Sequence, residues 1–266
     1  MSATALPSPK TETGVLAGAR TLLYKEVLRF WKVSFQTVAA PVLSALLYLV
    51  VFAHALASHV QAFPGVTYVQ FLVPGLAMMA MLQNAFANSS SSLIQSKVTG
   101  NIVFILLPPL APAEIFLAYL LAAMVRALTV GMGVFAATIW LVPIPVAHPL
   151  WALAFALVGS GLLAALGIVA GIWSDKFDQL AAFQNFIVMP LTFLAGVFYS
   201  IHSLPDFWRA VSALNPFFYA IDGFRYGFFG QSDVSPWASL AFASAAFGAL
   251  SWLTLHLVRR GYKLRH

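Results

Sequence analysis

About six stretches of this chain are long and apolar enough to cross a hydrocarbon core of roughly 30 Å, a distance that about 20 helical residues cover. They fall near 37–57, 68–92, 113–141, 150–172, 181–200 and 236–258. Water could not solvate such a surface: 61% of the 266 residues are hydrophobic and 8% are charged, against about 25% charged in soluble proteins. Because lipid offers backbone groups no partners, continuous apolar runs of this length must close their hydrogen bonds within themselves, as helices. The sequence therefore predicts an all-α integral membrane fold, with one six-span transmembrane domain over 37–258. The first run starts near Thr37, too deep for a secretory signal peptide, so no cleavage is expected. Cysteine is absent, which excludes disulfides and thiolate metal sites.

The formal net charge of +6 raises the question of nucleic acid, and the placement of the basic residues answers it. Lys10, Arg20, Lys25, Arg29 and Lys32 precede the first run, and Arg259, Arg260, Lys263 and Arg265 follow the last. The loops at 58–67 and 142–149 hold no Lys or Arg. By the positive-inside rule both termini are cytoplasmic, and Lys97 and Lys176 then fall in inner loops. The basic excess reports orientation in a membrane, and no nucleic-acid partner is expected. Residues 1–14 read as a disordered tail and 259–266 as a basic cytoplasmic tail. Between the first tail and the first span, 15–33 has a helical period with too little apolarity to cross. Leu16, Leu23, Val27, Phe30 and Trp31 gather on one face and Lys25, Glu26, Arg29 and Lys32 on the other, the pattern of an interfacial helix contacting lipid.

Two inner loops remain for contacts with other proteins. "SLIQSKVTGNIVFILLPPLAP" (92–112) ends at Pro108 and Pro109, which stop any helix, and "WSDKFDQL" (173–180) carries Asp175, Lys176 and Asp178. Loops this small cannot form an enzyme domain, but they can dock one. On the outer side, 201–233 is too long for a turn and too polar for an ordinary span. Phe217, Ile221, Phe224 and Phe228 recur at helical spacing, while Asp222 and Arg225 stand three apart and can pair on the polar side. The segment reads as short amphipathic helices dipping into the outer leaflet and narrowing an exit.

The residues that point to chemistry are polar groups inside the spans. Asn84, Asn88 and Ser92 lie at i, i+4 and i+8, with Gln83 beside them, and Arg126 interrupts "FLAYLLAAMVRALTVGMGVFAATIWLV". A central arginine costs about 2.5–3.5 kcal/mol on insertion, so Arg126 is expected to face the bundle, bridging Gln83, Asn84 and backbone carbonyls or reaching an anionic substrate group. These five residues are the candidate lining of a substrate path. No acidic residue falls in the middle of a span, and His54 is a weak candidate proton carrier, so proton coupling is disfavoured. No G-x-x-x-x-G-K-[ST] loop occurs, so ATP and its magnesium would be bound by a partner and this chain needs no cofactor. Catalytic and metal sites are not expected: "GSG" at 159–161 lacks a histidine at matching depth, and the histidines show no metal-binding spacing. Gly167 and Gly171, with Ser160 and Ala164 one ridge earlier, predict close approach of the fourth span to a neighbour. A membrane-embedded enzyme and a non-transporting scaffold are the alternatives, and an adjacent gene for an ATPase would count against both.

"FLVPG" (71–75), "PLTFLAGVFYSIHSLP" (190–205) and "LNPFFYAIDGFRYGFFG" (214–230), in this order and at these spacings, resemble the ABC-2 type transport permeases, the membrane subunits of bacterial ABC exporters. The resemblance covers nearly the whole chain from about Arg20. It implies six spans, an amphipathic elbow helix at 15–33, a cytoplasmic coupling helix after span two and re-entrant helices before span six, the last carrying an outer gate of Phe217, Ile221, Asp222, Phe224, Arg225 and Phe228. It also implies an inner (plasma) membrane location and a homodimer of permeases with two ATP-binding subunits. The substrate would be a lipid, a glycolipid or saccharide, or a hydrophobic drug. ATPase docking then falls to Lys97, Asn101, Val103, Phe104, Asp175, Lys176 and Asp178. Relatives carry acidic residues where Val103 and Phe104 stand, so the docking here is expected to be more apolar.

Overall fold

The structure, a computed structural model, describes residues 17–56 and 63–263. The tail 1–14, Lys10, Leu16 and Arg265 lie outside the described residues. Eleven α-helices run along the described chain: α1 (Ala17–Trp31), α2 (Ser34–Leu56), α3 (Tyr68–Val98), α4 (Ile102–Leu106), α5 (Pro112–Thr138), α6 (Pro149–Trp173), α7 (Phe177–Phe183), α8 (Met189–Phe193), α9 (Asp206–Ala213), α10 (Pro216–Phe229) and α11 (Pro236–Arg260). No strand forms among the described residues; one isolated bridge joins Phe63 to Val66. The helix ends follow local chemistry. At the start of α3, Thr67 and Gln70 cap each other reciprocally, satisfying two of the donors a helix leaves open. Prolines 112, 149, 216 and 236 open α5, α6, α10 and α11, where the missing N–H costs nothing.

The described residues include five helices long and apolar enough to span a membrane: α2, α3, α5, α6 and α11. The stretch expected as another span, 181–200, is built differently. Its helix starts earlier, at Phe177, passes through a π-helical turn at Gln184–Val188 and stops at Phe193. Pro190 cannot donate to the preceding turn, and a π turn absorbs the interruption. At 1.5 Å per residue the segment is about 25 Å long, and Gly196, at φ 72°, turns the chain beyond it.

Burial ranks the spans. In the most apolar window of α3, 83% of residues are buried, against 11% in α2 and 17% in α11, so α3 is the axis and the other two are peripheral. Its closest neighbour is α6, as the small residues predict. A side chain at Gly167 would run into Ser89 and the Phe86 carbonyl, and one at Gly171 would meet Leu93 and the Ser90 carbonyl. Ser89 uses that proximity to donate to the Ala164 carbonyl at 2.9 Å, a hydrogen bond between helices in a medium without water.

At one end of the bundle the three quoted motifs meet at one side chain. Arg225, on α10, is fully buried and donates to the carbonyls of Phe71 (3.2 Å), Gly196 (2.7 Å) and Val197 (2.5 Å). Its guanidinium carbon lies 3.7 Å from the centre of the Phe71 ring, a cation–π contact. Gly75 leaves the room: a Cβ there would strike the guanidinium and crowd the Val197 carbonyl. The expected pairing of Asp222 with Arg225 does not form. Asp222 instead accepts from the backbone N–H groups of Asp233 (2.8 Å) and Val234 (3.0 Å), and Asp233 accepts from Ser200 Oγ and the Ile201 N–H. Irregular backbone at this depth leaves carbonyls and amides open, and these satisfy a buried charge better than one lone partner. Only α9 presents the amphipathic surface expected of the segment, exposing Phe207 and Trp208; α10 is buried along nearly its whole length.

The opposite end carries most of the basic residues and closes with a clamp. Lys97, at the end of α3, donates to the carbonyls of Ile172 (2.8 Å) and Ser174 (2.6 Å) and to Asp175 (3.2 Å). Lys263 reaches the second Asp175 oxygen at 2.6 Å and the Trp173 carbonyl at 3.0 Å. The hydrogen bonds from Lys263 and then Lys97 hold the Asp175 carboxyl below the usual carboxylate range.

Two outcomes follow from these contacts. Arg225→Met should leave three carbonyls without their donor, at about 1–3 kcal/mol each, so a melt in detergent should show a loss of at least about 3 kcal/mol, with Phe71→Leu milder. Because its folded-state pKa is depressed, Asp175 contributes stability above its unfolded value of about 4 and loses it as pH falls through the folded value. Asp175→Asn should therefore melt below wild type at pH 7, and the gap should close below about pH 4.

Candidate functional site

A polar ladder runs along the face of α3 that is turned away from α6. Asn84 Oδ1 accepts from Nε (3.3 Å) and Nη2 (3.1 Å) of Arg126 on α5, and its amide donates to the Ala80 carbonyl. One turn on, Asn88 accepts from Arg29 Nη2 through both its backbone carbonyl (2.9 Å) and Oδ1 (3.0 Å). A further turn on, Ser92 Oγ donates to Glu26 Oε2 at 2.6 Å. Glu26 is completely buried and is flanked by Arg29 (3.2 Å) and Lys25 (3.4 Å). Three of the five path candidates thus lie on one stripe of α3, and a fourth, Arg126, meets it from α5. Gln83 does not: it turns to the other side, 3.6 Å from the Met189 sulfur, and takes no part in holding Arg126. Both Arg126 and Asn84 stand about 20 Å from the basic end at 1.5 Å per residue, so the bond needs no tilt.

The ladder revises the reading of α1. Its buried residues are Leu22, Glu26 and Phe30, one every fourth position, so the side carrying Glu26 packs against the bundle while Trp31 is exposed. The expected face had Glu26 and Arg29 looking outward with the other charges. Two complementary charges, Lys25 and Arg29, and the Ser92 hydroxyl donating from α3 make an inward carboxylate affordable where a lone one would not be. Glu26 and Arg29 are the site residues that sequence reasoning missed. The signal was present, since Glu26 sits midway between Leu22 and Phe30, but residue type outweighed position. His54, the other titratable candidate, is exposed and bonds its own helix at the Val50 carbonyl, 2.9 Å away.

The expected docking residues divide into two groups. Asn101, Val103 and Phe104 are exposed on and beside α4, with Phe104 at 72%. Leu107 extends this surface, which is apolar; on α7, Phe177, Lys176 and Asp178 are exposed as well. Lys97 and Asp175 do not belong to it in the way expected, because both are engaged in the clamp with Lys263. The outer-gate residues Phe217, Ile221, Asp222, Phe224, Arg225 and Phe228 are all buried within the subunit; their stripe packs on the core and lines no open channel in this chain alone. Among the described residues no group of His, Asp and Glu could hold a metal ion.

Comparison with known proteins places this arrangement. The family model for the ABC-2 type transporter matches residues 18–229, from the start of α1 to the end of α10. The chain is 37% identical to the inner membrane transport permease YadH of Escherichia coli strain K12 over 250 residues, covering 92% of this chain and 96% of that one. The Shigella flexneri protein of the same name matches equally. It is also similar to nodulation protein J of Rhizobium meliloti, 25% identical over 209 residues, 76% of this chain and 77% of the other. With the match running through the elbow helix, the ladder and the Arg225 cluster alike, the chain belongs to the ABC-2 type transporter family and is a membrane permease of that family.

Proposed function

We propose that two copies of this chain form the transmembrane pathway of an inner-membrane ABC exporter, powered by two separate ATP-binding subunits. In this reading Phe177–Phe193 completes a six-span bundle, the 201–233 segment re-enters the outer leaflet, and both termini and the basic end are cytoplasmic. The observation that carries the reading is the polar ladder. Charged and amide side chains at membrane depth are expensive and mark substrate or ion pathways; here Arg126 faces Asn84 rather than a carboxylate, so its charge is solvated but not cancelled. A guanidinium held this way can favour the polar or anionic part of an amphiphile passing between the two copies. The substrate class is a lipid, a glycolipid or saccharide, or a hydrophobic drug-like molecule.

The energy would enter at the apolar surface of α4. Val103, Phe104 and Leu107 form an exposed patch at the basic end, and the sequence carries no phosphate-binding loop of its own. ATP and magnesium are bound by the partner, and this subunit converts the partner's closure into movement of α3 through the short connection from Val98 to Ile102. The role of the chain is transport rather than catalysis.

Cysteines placed at Asn101, Val103 or Phe104 should crosslink to the ATP-binding subunit in the assembled complex, while one at Lys97, held in the clamp, should crosslink poorly. Efficient crosslinks from 173–180 with none from 101–107 would move the docking site to α7. Arg126→Leu should insert and assemble, with its melting temperature within a few degrees of wild type, yet lose at least tenfold in substrate-stimulated ATPase activity after reconstitution with a lipid, glycolipid and drug panel. Wild-type stimulation in that variant would remove Arg126 from the pathway.

A further inference from the structure

Between the elbow helix, the basic end of α3 and α4 lies a cavity of about 750 Å³. Its two walls differ in chemistry. Lys25 and Arg29 on α1 and Gln95 on α3 make one side polar, and Phe104, Ile105 and Leu110 make the other apolar. The cavity therefore suits an amphiphile with an acidic head, and the charges present fix its sign. Lys25 and Arg29 bring two positive charges against the single carboxylate of Glu26, which touches both. One positive charge is left over, on a partly open wall where Lys25 is 54% exposed. A phosphodiester carries one negative charge. The cavity's length of apolar wall beside the proline turn at Pro108 offers the acyl chains a route along the protein, as a free inorganic anion would not require.

We propose that this cavity binds the head group of an acidic phospholipid of the leaflet facing the basic end, phosphatidylglycerol in chemical class, as a resident lipid joining the elbow helix to the coupling helix. The orientation rests on the functional reading above; the binding itself does not. The phosphate sits against Lys25 and Arg29, within reach of the Asn101 and Gln95 carboxamides, and the chains lie over Phe104 and Leu110. Since α4 is also the proposed docking element, the occupied cavity holds α4 in place beneath the ATP-binding subunit, and removal of acidic lipid loosens it.

The full-length permease, purified in a neutral detergent, tests this without any partner. Titration with dioctanoyl-phosphatidylglycerol should raise the melting temperature in a saturable way, dioctanoyl-phosphatidylcholine at equal concentration should not, and inorganic phosphate should have little effect. Lys25→Gln should raise the half-saturating concentration about tenfold, and Thr99→Trp, which fills the cavity from α3, should abolish the shift. Arg20→Gln, a basic residue of α1 that does not line this cavity, should respond like wild type. Equal responses to both lipids, or an unchanged titration in Lys25→Gln and Thr99→Trp, would overturn the proposal. A full response to inorganic phosphate would also overturn it, by reducing the site to a small-anion site. A failed crosslink from α4 with an intact lipid response would count against the docking assignment alone.

Discussion

Backbone in lipid must satisfy its own hydrogen bonds or borrow a side chain to do so, and at Arg225 the fold borrows one. The chain between the end of α8 and α9 is irregular, so the carbonyls of Gly196 and Val197 have no helical donors. In α3, Pro74 has no N–H to offer the Gln70 carbonyl, and at the next residue the Phe71 carbonyl takes a side-chain donor. One guanidinium reaches all three. Its fixed fork of donors is what the geometry needs; a lysine would supply a point charge and fewer directed bonds. The rest of that end is built around this contact. Gly75 must be small, Phe71 must be flat, Gly196 must adopt a positive φ, and Asp222 is freed to cap the chain at Asp233 and Val234. The three motifs that carry the family resemblance are thus one packing unit seen in pieces.

The spans were legible because hydrophobic length is a one-dimensional property. Five of the expected runs became long helices within a few residues of their anticipated ends, and Gly167 with Gly171 identified a close helix pair because small residues have few other uses at that spacing. What was not legible depends on three-dimensional partners. Asp222 and Arg225 have the spacing of an ion pair, yet backbone groups brought in from distant segments compete for both. Glu26 looked like one more surface charge until Ser92, 66 positions away, supplied a donor inside. The run at 181–200 has other bounds for a local reason: the helix begins at Phe177 and ends at Phe193, just past Pro190, and the apolar residues that follow cover a turn.

The two sides of α3 divide close packing from charged contacts along one helix. On the side toward α6, Ser89 and Ser90 have folded their hydroxyls onto carbonyls, to Ala164 and Phe86, and glycines on α6 let the backbones approach. The hydrogens of those two hydroxyls are spent on backbone carbonyls. On the other side Asn84, Asn88 and Ser92 reach charged groups on α5 and α1. Under the proposed reading a pathway would use the second kind of surface, while a support that does not yield needs the first, and the helical period separates the two along one segment.

The charge arrangement of the ladder also bears on direction. Going from the basic end inward, Lys25, Glu26 and Arg29 come first and Arg126 last, so positive charge is partly matched at the cavity and unmatched near mid-membrane. An acidic head group moving inward from the basic end would meet first the attraction of Lys25 and Arg29 and then that of Arg126, without crossing a stretch lacking a cation. A cationic head group would meet opposition at every step after Glu26. Reversing the sign at the inner position alone, with Arg126→Glu, should therefore do more than remove a hydrogen bond: it should shift the preference of ATPase stimulation from acidic toward basic amphiphiles. The neutral Arg126→Gln variant should lower stimulation by acidic amphiphiles without creating the opposite preference. Equal profiles for the two variants, measured on the same amphiphile series, would show that charge at this depth does not sort substrates and that Arg126 serves Asn84 alone.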